Sequence, residues 1–264
     1  MKTALCVFFN YPHERNIPIL EDLYQGLFDE ILHIQPMVRS DRKNVHTVYR
    51  AAFNFGGFFS DSRQFLSECD ADFFVFAGDD CILNPSLFGK NFERTFFKNG
   101  NGPKLFIPNL GRFCNGREWV NPHKINAMAR FANENGLISQ RIEGWRKFLP
   151  DPETIISNAE TLGILSSTIR RPNEDQLKNL SKMQLEVFQI VMGERDHTPL
   201  AYPLAYPLAY AISDFFIVSR EQLDSFCHNI GLLATMNIFS EVAVPTALLS
   251  LPVKITRATD LGLT

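Results

Sequence analysis

Two adjacent carboxylates, Asp79 and Asp80, end an apolar run that reads Asp-Phe-Phe-Val-Phe-Ala-Gly-Asp-Asp-Cys-Ile-Leu-Asn-Pro from Asp72 to Pro85. An apolar strand would fix the backbone and Gly78 would let it turn closely. Both carboxylates would then emerge at the strand's carboxyl end, where open α/β sheets receive ligands. A hard cation such as Mg2+ or Mn2+ wants oxygen ligands and takes one or two carboxylates, with substrate phosphates and water completing the shell. The pair suits such a cation, although Asp-Asp alone serves equally well as a turn and as a cap before Asn84. Two later carboxylates stand in apolar surroundings. Asp214 precedes the run Phe215-Phe216-Ile217-Val218, and Glu241 is the one carboxylate between Ile238 and Pro245. A charge in such a stretch must be paired or functional.

The elements that must position these groups alternate between extended and helical patterns, as in an α/β sheet with crossover helices. Residues 4–9 read as a buried strand, 17–28 as a helix, 30–35 and 45–49 as short strands, 58–69 as a helix behind Gly56-Gly57, and 72–77 as the strand that delivers Asp79 and Asp80. A helix over 86–98 stops at Asn99-Gly100-Asn101-Gly102, and 104–108 resumes an extended run. From 111 to 171 the pattern turns irregular and polar, with helices expected over 122–135 and 174–192, and inserts of this kind shape substrate pockets. A later strand covers 210–218, and 221–250 supplies one or two apolar helices. Pro-Leu-Ala-Tyr occurs three times in succession from Pro199 to Tyr210. Proline at every fourth position excludes an interior α-helix, so this segment is expected to be extended or polyproline-like.

The chain reads as a single domain of 264 residues, with Asp79-Asp80 in a half over 1–110 and the irregular stretch and C-terminal helices in a half over 111–264. Ten of its 24 Phe fall in adjacent pairs, among them Phe8-Phe9, Phe73-Phe74 and Phe215-Phe216, which seat strands and helices in a core. A net charge of −3 gives no basic stripe for nucleic acid. Five widely spaced Cys include no Cys-x-x-Cys pair, which excludes a disulfide framework and a zinc knuckle and fits a reducing, cytoplasmic location. No run reaches the roughly 18 apolar residues that cross a bilayer, which leaves peripheral membrane contact open. The six His show no metal-ligand spacing, and Gly56-Gly57 lacks the spacings of a Rossmann fingerprint or a P-loop.

Taken together, Asn54-Phe55-Gly56-Gly57, the following helix, the apolar strand, Asp79-Asp80 and Ile82-Leu83-Asn84-Pro85 resemble nucleotide-sugar glycosyltransferases of the GT-A fold, and the family 2 group in particular. The likeness covers roughly the first hundred residues, with a looser match near the C-terminus. It implies a GT-A-like mixed sheet flanked by helices, with a helical acceptor-side insert, so that 1–110 would be the nucleotide-binding half and 111–264 the acceptor-side half. It also implies a nucleoside-diphosphate-sugar donor, a glycan or lipid-linked acceptor, and a divalent cation (Mn2+ or Mg2+) held by Asp80 first and Asp79 second, with these aspartates touching the nucleotide. The chain departs from the family's Asp-x-Asp, because neither Ala77 nor Gly78 supplies the first Asp. In such a sheet Asn10 and Tyr11 would lie beside the site, where Asn10 can hydrogen-bond a base and Tyr11 can stack on it. Arg39, Arg42, Lys43 and Arg50 precede the Gly pair, and one of them, Arg50 foremost, is a candidate for the diphosphate.

Inverting transfer to an alcohol needs a carboxylate to take the acceptor proton, and the resemblance places an acidic residue of the later half there, either Asp214 or Glu241. Arg112, Asn115, Arg117, Glu118, Trp119 and His123 lie in the insert. Of these, Trp119 offers a platform for a sugar ring, and Arg117 is a second acceptor-side candidate. Two other readings fit the same pattern. One is a nucleotidyltransferase, which also places carboxylates and a metal at a strand end. The other is a non-catalytic relative whose Phe-rich faces serve assembly.

Overall fold

Strand β1 (Thr3–Phe8) is buried along its whole length and is an interior strand, third from one edge, of a seven-stranded sheet. The computed structural model describes residues 1–51, 54–97, 102, 104–112, 145–164, 178, 208–235 and 238–263. Next to β1 lie β2 (Glu30–Pro36), β3 (Val45–Val48) and β4 (Phe73–Gly78), all parallel, in the order β3-β2-β1-β4. Beyond β4 come β8 (Phe215–Ser219), β5 (Leu105–Phe106) and β9 (Ile255–Thr256). Strand β8 runs antiparallel to both β4 and β5, so its amino end abuts the carboxyl end of β4. Two further strands, β6 (Gly111–Arg112) and β7 (Ala209–Tyr210), pair with each other away from this sheet.

Successive strand residues point to opposite faces, and the Phe pairs use this to anchor both layers at once. Ala4, Cys6 and Phe8 with Phe74, Phe76, Phe216 and Val218 belong to one core. That core is covered by α2 (Phe55–Asp61), α3 (Arg63–Glu68), α6 (Arg220–Thr235) and α7 (Ser240–Leu249), and it reaches α5 (Pro152–Thr161) through Ile155. Leu5, Val7, Phe9, Val75, Ala77 and Ile217 face the other core, under α1 (Asn16–Tyr24), α4 (Phe92–Phe96) and α8 (Ala258–Leu261). Phe76 and Phe216, directly opposite across the β4–β8 pair, stack with ring centroids 4.7 Å apart, and Phe59 of α2 stands edge-on to Phe76 at 5.2 Å. This is the mixed sheet flanked by helices that a GT-A-like domain requires.

Several boundaries differ from the sequence pattern, each for a local reason. The first helix ends at Tyr24 rather than 28, because Gln25 leaves helical geometry and Gly26 follows at φ 73°. The helix expected over 58–69 starts earlier, at Phe55, where the Asn54 side chain accepts from the Gly57 N–H. It then breaks at Ser62 into α2 and α3. The helix expected over 86–98 is mostly 3-10 turns, Pro85–Leu87 and Gly89–Asn91, with only Phe92–Phe96 α-helical; Gly89 sits at φ 58° and interrupts it. The single late strand expected over 210–218 divides into β7 and β8. The helices expected over 122–135 and 174–192 lie, apart from Lys178, outside the described residues, as does all of the Pro-Leu-Ala-Tyr segment before Leu208. Among the described residues no helix is long and apolar enough to cross a membrane.

Candidate functional site

The β4 strand ends where the sequence pattern places it, and its last residues are fixed from both sides. The Asp79 N–H donates to the Phe8 carbonyl of β1 (3.0 Å), and the Gly78 N–H donates to the Asp214 carbonyl (2.9 Å) at the start of β8. The Cys81 N–H then returns to the Gly78 carbonyl (3.0 Å), which turns the chain sharply and lifts Asp80 into solvent. A Cβ at position 78 would stand 2.9 Å from Asp80 Oδ1, so the absence of a side chain there lets the Asp80 carboxylate fold back over the turn. Asp79 is half-buried beside the end of β1, and its Oδ1 accepts from the Asn10 N–H (3.4 Å).

The antiparallel β8 brings Asp214 to this corner, because Phe215 pairs with Ala77 and Asp214 with the turn beyond it. Glu241 arrives by a different route. Pro245 lies inside α7 and has no N–H, so the Glu241 carbonyl four residues earlier loses its intrahelical donor. It accepts instead from the Ala211 N–H (3.0 Å), tying the first turn of α7 to the segment that leads into Asp214. The Ala209 N–H donates to Thr246 Oγ1 (3.0 Å) one turn further along. Both late carboxylates singled out in the sequence therefore belong to one corner with Asp79 and Asp80.

The charges of this corner act on one another. Burial pushes the Asp214 carboxyl above its usual range, and the Asp80 and Glu241 charges push it further. Asp79 is raised as well: burial outweighs the opposing Asn10 N–H, and the Asp80 charge adds to it. The Cys81 thiol, enclosed by the same turn, is pushed up to about 11 by burial and then by the Asp214 and Asp80 charges. Among the described residues neither the Asp80 nor the Asp214 carboxylate has a hydrogen-bonding or ion-pairing partner. An all-oxygen, anionic donor set suits a hard divalent cation or the polar part of a nucleotide. No group of three or more His, Cys, Asp or Glu among the described residues is arranged to hold a metal. A cation here would rest on one or two carboxylates, with phosphate oxygens and water supplying the remainder.

Asn10 and Tyr11 leave β1 next to Asp79, both exposed, with Tyr11 64% accessible and its ring 5.2 Å from that of His13. Arg50 is engaged elsewhere. Its Nε and Nη2 donate to the two carboxylate oxygens of Asp61 (2.6 and 2.9 Å), and its stem runs across Gly57, where a Cβ would lie 2.3 Å from Arg50 Cδ. The Gly pair thus serves packing, with Gly57 admitting the Arg50 stem and Gly56 set against Ile230 of α6. Arg42 is paired with Glu21, and Arg39 and Lys43 are exposed. Arg112 lies in β6, while Asn115, Arg117, Glu118, Trp119 and His123 fall outside the described residues.

Tyr24, at the end of α1, carries no sequence signal beyond an aromatic on the apolar face of a helix, yet it holds the far side of the acidic turn. Its ring is 1% exposed, its hydroxyl donates to the Cys81 carbonyl (3.2 Å) and accepts from the Leu83 N–H (3.0 Å).

No family model matches the chain, and no curated protein matches it. Among solved structures it is similar to glucosyl-3-phosphoglycerate synthase from Mycobacterium tuberculosis in complex with uridine-diphosphate. The identity is 17% over 83% of this chain and 91% of that chain, and the TM-score is 0.32.

Proposed function

We propose that the protein transfers a sugar from a nucleoside-diphosphate-sugar to a hydroxyl of a glycan or lipid-linked acceptor, as a step in cell-surface polysaccharide synthesis. The observation that carries this reading is the meeting of Asp79, Asp80 and Asp214 at the carboxyl end of β4, with Asn10 and Tyr11 leaving β1 alongside. Asn10 and Tyr11 receive the base by hydrogen bonding and stacking, and Asp79 and Asp80 border the ribose and diphosphate. Asp80, with Asp79 beside it, would hold a divalent cation, and such a cation would supply positive charge to offset the departing nucleoside diphosphate. Asp214 takes the acceptor proton as the hydroxyl attacks with inversion; its raised pKa makes it a stronger proton acceptor than an ordinary carboxylate. Glu241 sustains that proton affinity through its charge, and Trp119 and Arg117 contact the acceptor. The reaction belongs in the cytoplasm, with peripheral contact at the inner membrane face where the acceptor is lipid-linked.

Calorimetric titration of UDP and GDP, with and without Mn2+, tests this directly. One of the two should bind, more tightly with Mn2+, and Asp80→Ala should weaken that binding by about tenfold or more, as loss of a charge-assisted contact does. Failure of every nucleoside diphosphate to bind the wild-type protein would overturn the reading.

A further inference from the structure

Gln35 is 0% exposed at the carboxyl end of β2, on the face shared with Phe9 and His33 under α1. Its Nε2 donates to Glu14 Oε1 (3.3 Å), in the segment between β1 and α1, and to the Val38 carbonyl (2.9 Å) just past β2. Two acceptors on one side fix the amide's orientation, so Oε1 points the other way and is buried with no donor among the described residues. Folding disfavours such an orphan acceptor, and an apolar side chain of the same length would avoid it.

The turn that Gln35 grips is itself unfavourable. Met37 is the one described non-glycine residue with positive φ, at 66°, and the Val38 N–H closes on the Pro36 carbonyl two residues back (2.7 Å). Thr47 Oγ1 also donates to the Val38 carbonyl (2.8 Å), so this turn has a second anchor on β3. The segment holding Glu14 is anchored at its start, where the Asn10 N–H donates to Asp79 Oδ1 (3.4 Å), but further along the His13 and Asn16 N–H groups bond only within it, to the Tyr11 and His13 carbonyls. An orphaned buried acceptor and a left-handed residue persist side by side where the surroundings demand a geometry, and such features gather at functional sites. Here both stand one strand away from Asn10, since the Phe9 N–H donates to the Ile34 carbonyl.

We infer that Gln35 is a positioning residue, whose amide ties the β1–α1 segment to the turn after β2 and so holds Asn10 and Tyr11 in the arrangement that receives a nucleotide. The inference rests on the nucleotide-binding reading above. Gln35 itself touches no ligand; it acts through Glu14.

Three variants separate this role from plain packing. Gln35→Met keeps the length, removes the donor and also removes the orphan oxygen; Glu14→Ala removes the loop-side acceptor from an exposed position; Thr47→Val removes only the other bond to Val38. The expected result is that Gln35→Met and Glu14→Ala each weaken binding of the preferred nucleoside diphosphate by about tenfold, the worth of one well-placed hydrogen bond. Thr47→Val should bind as the wild type does. Gln35→Met should melt no lower than Glu14→Ala, which a purely structural glutamine would not allow. Amide hydrogen exchange without ligand should quicken about tenfold at residues 10–14 in the first two variants and stay unchanged in Thr47→Val. Wild-type exchange at 10–14 in both Gln35→Met and Glu14→Ala overturns the tie, whether or not a nucleotide binds. Should no nucleoside diphosphate bind the wild type while exchange still quickens, the glycosyl-transfer reading falls and the tie stands as a constraint on the loop alone.

Discussion

Replacing Tyr24 by Phe removes one oxygen and leaves the ring, so its effect isolates the two hydrogen bonds that brace the acidic turn. The ring is 1% exposed and packs edge-on to Phe28 at 6.1 Å between centroids, contacts that Phe retains. Two partners lose the hydroxyl, and they differ. Cys81 is half-exposed, so water can replace the lost donor at its carbonyl at little cost. Leu83 is 7% exposed and its N–H bond lies in the closed interior, so that group bears a desolvation cost of about 1–3 kcal/mol. The sum is a loss of about 2 kcal/mol, read as a lower urea midpoint at unchanged m-value. In a thermal melt it appears as a fall of roughly 4–8 °C for a chain of this size. Nucleoside-diphosphate binding should weaken as well, because the turn carrying Asp79 and Asp80 keeps its bonds to Phe8 and Gly78 but loses its outer brace. A stability loss below about 0.5 kcal/mol, the range of ordinary surface substitutions, would refute the claim that this hydroxyl is structural to the turn.

Other perturbations follow from the same contacts. Asp214 has a raised pKa in the folded protein, so between its unfolded and folded values the native state binds more protons and stability falls as pH rises. Asp214→Asn should therefore melt higher than the wild type at pH 7, with the difference shrinking in melts taken at progressively lower pH, while the proposed sugar transfer is lost. His33 is the opposite case. Burial lowers its pKa from 6.5 to about 4 against the pull of Glu21, so the unfolded chain takes up a proton first, and about 3 kcal/mol of stability is lost as pH falls across that interval. In His33→Leu, melting temperature should depend less steeply on pH between those values. Gly57→Ala places a Cβ on the Arg50 stem and must disturb the Arg50–Asp61 pair, which is about one-third exposed. A loss of about 1 kcal/mol in urea unfolding is expected, largely relieved when Arg50 is also replaced by Ala.

How far the sequence discloses this arrangement depends on the range of the interaction involved. Strands β1 and β4 are nearly continuous apolar runs because both faces of the sheet are covered, and a run of that kind marks itself within six residues. The Asp79-Asp80 turn was legible for the same reason, since strand, glycine and carboxylates are contiguous. The partnership of Asp79 and Asp80 with Asp214 was not, because it depends on β8 entering antiparallel beside β4 from 134 residues further along. Arg50 reads in sequence as the foremost of four cations for the diphosphate, and only the fold of Arg50 onto Asp61 across Gly57 shows that it is engaged elsewhere. Tyr24 and Gln35 look like core filler in the chain; their hydrogen bonds reach segments 57 and 21 residues away.

The missing first carboxylate of the Asp-x-Asp pattern has a physical cause in the direction of the β4 side chains. Ala77 is 2% exposed and points into the core beneath α1, opposite Val7 on one side and Phe215 on the other. A side chain at 78 would have to displace Asp80 Oδ1 from the place it now takes. An aspartate at 77 would bury an unpaired carboxylate, which either takes up a proton or costs several kcal/mol. Ala77→Asp should thus lower stability by about 2–4 kcal/mol without tightening Mn2+-dependent nucleotide binding, as measured by urea unfolding and calorimetry together. The carboxylate that adds charge to Asp80 in this chain comes from the neighbouring strand, as Asp214, and its pKa registers that proximity. Were Ala77→Asp to fold with wild-type stability and bind nucleotide more tightly with Mn2+, position 77 would have to face the site. The inward orientation of Ala77, and the placing of Asp214 as the second source of charge, would then both be wrong.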